Sequence, residues 1–232
     1  PAFPPPLDDG FRPAVLANHR FQQDVLASGG ATPLVFGLAR PDGSVSRFGA
    51  VVFAEGHPRA GENVFFAERL LKFLLWQRGA ATVYVGGPRS LGEALAACYA
   101  PGGERAFDAR FMGEEIYQQP FRVVPCAPDE VPAEHELERP LGRHLDGHRI
   151  GFDLGASDLK VSAVVGGQPV FSTEIVWEPR GQADPAYHRE KIMDALRLAA
   201  SRLPQVDAIG GSSAGVYINN RPMVASLFRG IP

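Results

Sequence analysis

The segment Gly151-Phe152-Asp153-Leu154-Gly155-Ala156-Ser157-Asp158-Leu159-Lys160 carries the densest set of chemically capable groups in the chain. An acid closes a strand-like stretch, three small residues follow, and a second strand-like stretch begins. A turn of small residues exposes backbone N–H groups that can wrap phosphate oxygens, because no side chain blocks their approach. The Ser157 hydroxyl adds a donor and Lys160 a positive charge. Asp153 is the natural partner for Mg²⁺, which takes one or two carboxylates plus waters. The same ten residues also fit an ordinary hairpin whose glycine and serine simply make the bend. A second run, Gly210-Gly211-Ser212-Ser213-Ala214-Gly215, follows the strand-like Val206–Ile209. Ligands of α/β sheets bind outside the carboxyl ends of strands, so this run is a second candidate, with a plain strand-to-loop turn as its alternative.

Other reactive residues carry less. His57, His135, His144 and His148 do not fall at metal-ligand spacing within one element, and the last three sit in a charged, solvated stretch. Glu114 and Glu115 beside Tyr117 read as surface acids. Ser90 and Ser213 lack a Gly-x-Ser-x-Gly elbow, so no serine hydrolase is indicated. Cys98 and Cys126 are not in CxxC spacing and read as reduced, half-buried thiols of a cytoplasmic protein.

The elements that must position these groups fall into two regions. In the second, Arg149–Leu154 and Leu159–Val165 read as strands, Gly166-Gly167 as a tight hairpin turn, and Pro169–Trp177 as a third strand. A helix is expected over Tyr187–Arg202, with Ile192, Met193, Leu196 and Leu198–Ala200 as its apolar set, and then a fourth strand. In the first region a helix Val15–Ala27 precedes a hairpin of Leu34–Ala39 and Val45–Phe53 around Pro41-Asp42-Gly43. A long helix, Glu62–Arg78, stops at Gly79, and its Phe65, Phe66, Phe73 and Trp76 are expected in the core. A strand Ala80–Val85, a helix Arg89–Tyr99, a loop-rich aromatic and acidic stretch Phe107–Tyr117 and a strand Phe121–Val124 complete it. Pro1–Ala14 reads as an extended arm, and Ala127–His148, rich in Pro and charge, as a linker or surface loop. The expected organisation is a small α/β module over 1–126, a linker over 127–148, and a second domain over 149–232.

Composition excludes several classes. No apolar run reaches the ~18 residues of a membrane helix, and Pro1–Pro6 is not a charged-then-apolar signal peptide. A net charge of −3 from 23 basic and 26 acidic residues gives no general attraction to nucleic acid or anionic lipid. The start at Pro1 and the stop at Pro232 lead to the expectation of a fragment.

The order strand, strand, strand, helix, strand, with both small-residue loops at one end of a mixed sheet, resembles the first half of the actin-like (ribonuclease H-like) ATPase fold. Asp153-Leu154-Gly155-Ala156-Ser157 looks like that superfamily's first phosphate loop. Asp207-Ala208-Ile209-Gly210-Gly211-Ser212-Ser213-Ala214-Gly215-Val216 is similar to the fourth-strand segment of ROK-type sugar kinases. The resemblance covers about residues 149–232. It implies phosphoryl transfer from MgATP to a sugar hydroxyl, with Asp153 organising Mg²⁺. Gly155, Ala156 and Ser157 would cradle phosphates, Lys160 would balance charge, and Gly210, Gly211, Ser212, Ser213 and Gly215 would line the cleft. Where ROK kinases usually read Gly-Gly-Thr-Lys, this chain has Gly155-Ala156-Ser157-Asp158, which brings a negative charge close to the phosphate. The family's catalytic Asn-Asp segment, zinc motif and later loops are not in these residues, so the piece alone is expected to be inactive. Thr82-Val83-Tyr84-Val85-Gly86-Gly87-Pro88 looks like the superfamily's adenosine loop but precedes the phosphate loop, and is read as chance similarity. Two alternatives stand beside the kinase: a non-catalytic actin-like sensor or assembly module, and a generic α/β ligand-binding protein. The acceptor sugar, a homodimer and the role of residues 1–126 are left open.

Overall fold

The computed structural model describes residues 7–8, 10–11, 13–137 and 144–231, so part of the expected arm (1–6, 9, 12) and of the linker (138–143) lies outside the described residues. The chain divides into two units, Pro1–Glu138 and Arg139–Pro232. Both are mixed α/β, each built on a four-stranded mixed sheet. Among the described residues no helix is long and apolar enough to cross a membrane.

The first unit runs α1 (Ala14–Ala27), β1 (Ala31–Ala39), β2 (Val45–Phe53), α2 (Glu62–Arg78), β3 (Thr82–Gly86), α3 (Arg89–Cys98), α4 (Ala106–Arg110) and β4 (Arg122–Cys126). Strand order is β2-β1-β3-β4, with β1 antiparallel to both neighbours and β3 parallel to β4. The β1–β2 hairpin closes because Asp42 accepts the Ser44 N–H at 2.9 Å and its hydroxyl at 2.6 Å. Those two donors hold the Asp42 carboxyl below its ordinary range. Along α2, Phe66, Ala67, Leu71, Leu74 and Leu75 recur at helical spacing and are buried, the period that lays one stripe of a helix on a sheet. Buried Asn63 fastens the helix start, donating to the Phe53 carbonyl at 2.8 Å and accepting the Phe53 N–H at 3.0 Å.

Two expectations fail in this unit. Phe65, Phe73 and Trp76 are 70%, 61% and 49% exposed rather than core; Phe66 alone of the four is buried. Helix α2 is apolar around most of its circumference, and one sheet can bury only one stripe of it. The stretch expected as loop is helical: α4 continues into a π-helical segment, Phe111–Tyr117. Its Asp108, Ala109, Met112 and Ile116 are buried at helical spacing, a pattern masked in sequence by exposed aromatics between them. The Trp76 indole N–H donates to Asp108 at 2.6 Å, and its ring stacks on Phe111 at 5.2 Å. The described first half of the 127–148 segment packs on this unit. Val131 is buried over Gly37, and His135 exchanges backbone hydrogen bonds with Val45.

The second unit runs β5 (His148–Leu154), β6 (Asp158–Val165), β7 (Gln168–Val176), α5 (Pro185–Ala200), β8 (Ala208–Ser213), β9 (Val216–Ile218) and β10 (Arg221–Val224). Its sheet order is β7-β6-β5-β8, with β5 antiparallel to β6 and parallel to β8. The expected sequence of three strands, helix and strand is therefore present. Helix α5 starts where Asp184 accepts the Ala186 N–H at 2.8 Å and Pro185 opens the first turn, the usual capping chemistry. Its Ala195 and Ala199 pack on Ile150, Leu159, Val161 and Ala163, and Trp177 and Leu227 close that core. His188, unremarked in the sequence, is buried beneath the 179–180 loop. Its Nε2 lies 3.0 Å from the Pro179 carbonyl and 3.2 Å from that of Leu227, so Nε2 carries the proton.

Strand β8 departs from expectation. Gly210, Gly211, Ser212 and Ser213 belong to the strand and not to a loop. They pair in register with Gly151–Leu154, and the Phe152 ring lies over Gly211, where a Cβ would collide with it. Backbone pairing and a neighbour's ring thus make a strand of residues with low strand propensity. The β9–β10 hairpin was also not foreseen; it turns at Asn219-Asn220, both with positive φ, as a two-residue hairpin requires.

Candidate functional site

Strand alternation sorts the second unit into two faces. Ile150, Leu154, Leu159, Val161 and Ala163 face α5. On the opposite face, cross-strand register aligns Ser212, Asp153, Lys160 and Glu174 in one row across β8, β5, β6 and β7. The adjacent row is Gly210, Gly151, Ser162 and Ser172. A Cβ added at Gly151 or Gly210 would meet nothing within 4 Å, so the β8–β5 half of this row is bare backbone, while Ser162 and Ser172 bond each other at 2.8 Å in the other half.

Asp153 lies one residue from the end of β5 and accepts a short hydrogen bond from the Ser212 hydroxyl. The β5–β6 turn follows at once. The Gly155 N–H donates to the Asp158 carbonyl at 2.8 Å, and Trp177 holds the turn from the core side. Its indole N–H reaches the Gly155 carbonyl at 2.9 Å and its backbone N–H the Ser157 carbonyl at 3.2 Å. A side chain at Gly155 would strike the Asp158 carboxylate and carbonyl, so only glycine closes this turn. Ala156 and Ser157 are exposed, and their N–H groups have no protein acceptor among the described residues.

The second bend, Ala214-Gly215, leaves β8 after Ser213, whose hydroxyl accepts from Tyr217 at 2.8 Å. Leu154 and Ser213 are register partners on adjacent parallel strands. The two bends therefore leave the same end of the sheet, one strand spacing apart, ~4.8 Å. The sequence-derived residues Asp153, Gly155, Ala156, Ser157, Ser212, Ser213 and Gly215 gather at that end, while Gly210 lies one row back and Gly211 faces the core under Phe152. Cavities of about 940 and 520 Å³ occur in the first unit, and neither is lined by residues 149–232.

Charge here is paired more closely than the sequence suggested. Lys160 donates to Asp158 at 3.0 Å. That bond, above all, holds the Asp158 carboxyl below its ordinary range, and Asp158 in turn raises the Lys160 ammonium. Lys160 is thus not a free cation awaiting phosphate. Three carboxylates, Asp153, Asp158 and Glu174, surround this one ammonium, leaving the patch net negative. Among the described residues no group of three or more His, Cys, Asp or Glu could hold a metal ion. Asp153 has one carboxylate oxygen on Ser212 and the other without a protein partner among the described residues, which fits a water-mediated Mg²⁺ on a single carboxylate.

Glu174 and Trp177 are the site-shaping residues that sequence reasoning missed. The Gly166-Gly167 turn by itself would set Lys160 opposite Thr173, and only the bulge between Ala163 and Val164 shifts the register to Glu174; nothing local marked Trp177 as the clamp of the turn. The remaining candidates lead elsewhere. His57 stacks on Phe53, His148 lies 3.4 Å from Asp207, Glu114 is exposed, and Glu115 pairs with Arg110. Cys98 and Cys126 are half-buried free thiols, both pushed up chiefly by burial. Comparison of the chain with protein-family models, curated proteins and solved structures finds no match.

Proposed function

We propose that residues 149–232 form the MgATP-binding portion of an actin-like, ROK-related sugar kinase or similar phosphotransferase. One observation carries the reading: Asp153 and Ser212 sit side by side at the carboxyl ends of parallel β5 and β8, with an exposed Gly155-Ala156-Ser157 turn immediately beyond. This is where α/β sheets receive ligands. The N–H groups of Ala156 and Ser157 and the Ser157 hydroxyl donate to phosphate oxygens. Asp153, oriented by Ser212, holds Mg²⁺ through water, and Ser213 and Gly215 border the phosphate from the neighbouring bend. Mg²⁺ supplies the neutralisation of phosphate charge on which phosphoryl transfer depends. Because the patch is net negative, nucleotide without the cation is repelled.

A second reading, a non-catalytic nucleotide sensor of the same fold, is favoured by Asp158, which occupies the lysine position of ROK kinases and engages Lys160. Calorimetry of the full chain tests the shared core of both readings. ATP with Mg²⁺ is expected to bind, ATP with a chelator is not, and Asp153→Ala abolishes the heat while leaving the melting temperature within a few degrees. Unchanged affinity in Asp153→Ala overturns the assignment. A coupled hexose phosphorylation assay then separates kinase from sensor, since the sensor turns over no sugar.

A further inference from the structure

Three exposed aromatics of the first unit, Phe48, Phe73 and Trp76, line one groove. Phe66, Arg69, Leu70, Phe73 and Trp76 recur at helical spacing on α2 and, with Lys72, line its side of the groove, a stripe ~15 Å long at 1.5 Å per residue. Together with α1 and β2 it forms a groove of about 940 Å³ with Val15 and Phe48 on its opposite walls. Phe48, Phe73, Trp76 and Val15 are each at least 40% exposed. Among the described residues no Asp or Glu lines the groove, and its charged residues are Arg69, Lys72 and Arg105. Arg105 is neutralised by buried Glu68, and Lys72 lies 3.9 Å from buried Asp108. Arg69 has no carboxylate partner in the described structure and lies over the Phe65 ring at 5.4 Å.

We propose that this groove docks an acidic amphipathic helix of a protein partner, about three turns long. The length of the stripe matches that span, and apolar anchors at i, i+3/i+4 and i+7 are how such grooves are filled. The wholly basic charged lining, in a chain whose net charge is −3, sets the sign of the partner. Its carboxylates would face Arg69 and Lys72 while its apolar face covers Phe48, Phe73 and Trp76.

Trp76 provides the readout, because the only other tryptophan, Trp177, is 2% exposed. The full chain is titrated with a designed 14-residue helical peptide carrying Leu at i, i+3, i+4 and i+7 and Glu elsewhere. A Lys-for-Glu twin and a scrambled Glu peptide are run beside it. The acidic helix is expected to shift tryptophan emission to the blue saturably, and the other two are not. Arg69→Glu or Lys72→Gln, each with unchanged circular dichroism, is expected to weaken binding at least tenfold. Absence of a saturable shift, equal binding of either control, or indifference to Arg69→Glu overturns the proposal. So does a saturable shift with dodecanoate and none with any peptide, which would make the groove a small-ligand site. Self-association in sedimentation that Trp76→Ala abolishes would assign the groove to a second copy and overturn it as well.

Discussion

The two sheets share a plan and differ in what their glycines do. In each, the strand orientations read antiparallel, antiparallel, parallel across the sheet, yet the chain visits the strands in different order, β2-β1-β3-β4 against β7-β6-β5-β8. In each, a glycine lies at or just beyond the carboxyl end of the strand that pairs both ways. At the end of β3, a side chain on Gly86 would meet Val131 and the backbone of Pro128, and one on Gly87 would meet Leu34. Those glycines admit the chain's own returning segment. At the end of β5, Gly155 closes a turn whose next two N–H groups face outward, and Gly151 and Gly210 have nothing above them. At these positions the same residue type serves packing in the first unit and leaves Gly151 and Gly210 open in the second, where Gly155 and Gly211 still make room for Asp158 and Phe152.

The contrast can be broken most severely at Trp177. Trp177→Ala removes a fully buried ring and both the indole bond to Gly155 and part of its packing, so a loss of about 3–5 kcal/mol is expected. Urea unfolding followed by circular dichroism measures it. Trp177→Phe, which keeps most of the ring but not the N–H, is expected to cost ~1 kcal/mol. A neutral Trp177→Ala would mean the turn is not held from the core. Next comes the pair of glycines. Gly86→Ala forces a methyl against Val131 and backbone and is expected to cost about 1–3 kcal/mol, whereas Gly210→Ala stays within ~0.5 kcal/mol. Equal penalties in paired denaturation curves would erase the distinction between filled and open glycines.

The smallest effect is on pH. Asp207 accepts the His148 backbone N–H at 2.7 Å, which is the main reason its carboxyl lies below the ordinary range; Asp158 is lowered chiefly by Lys160. A carboxyl depressed on folding contributes stability that is complete above its ordinary value of about 4 and is lost as acid protonates the folded form. The melting temperature should therefore fall between pH 5 and pH 2.5, and Asp207→Asn should narrow that fall. A profile identical to the parent chain would exclude Asp207 as a contributor.

Several elements were legible before any coordinates. Helix α2 was bounded by its apolar run and Gly79, strand β2 by the Pro41-Asp42-Gly43 turn, and the three-strand meander by Gly155–Ser157 and Gly166-Gly167. These are local signals: turn chemistry and periodicity act over a few residues. Of the site, Asp153 and the turn after it were recognisable because acid and small residues adjoin in sequence. Their neighbours were not. The second half of β8 was hidden because Gly-Gly-Ser-Ser has low strand propensity, and only pairing with β5 and the cover of Phe152 carry the strand through it.

Residue order by itself determined which positions could bend, alternate or coil, and so the succession of helices and strands apart from α4 with its π-helical continuation and the β9–β10 hairpin. Which side of α2 would lie against a sheet, which carboxylate Lys160 would meet, and that Ser212 would stand beside Asp153 were decided only by the tertiary structure. The physical reason is distance: Asp153 and Ser212 are 59 positions apart in the chain, and no local preference reaches that far. Strand pairing alone brings them together.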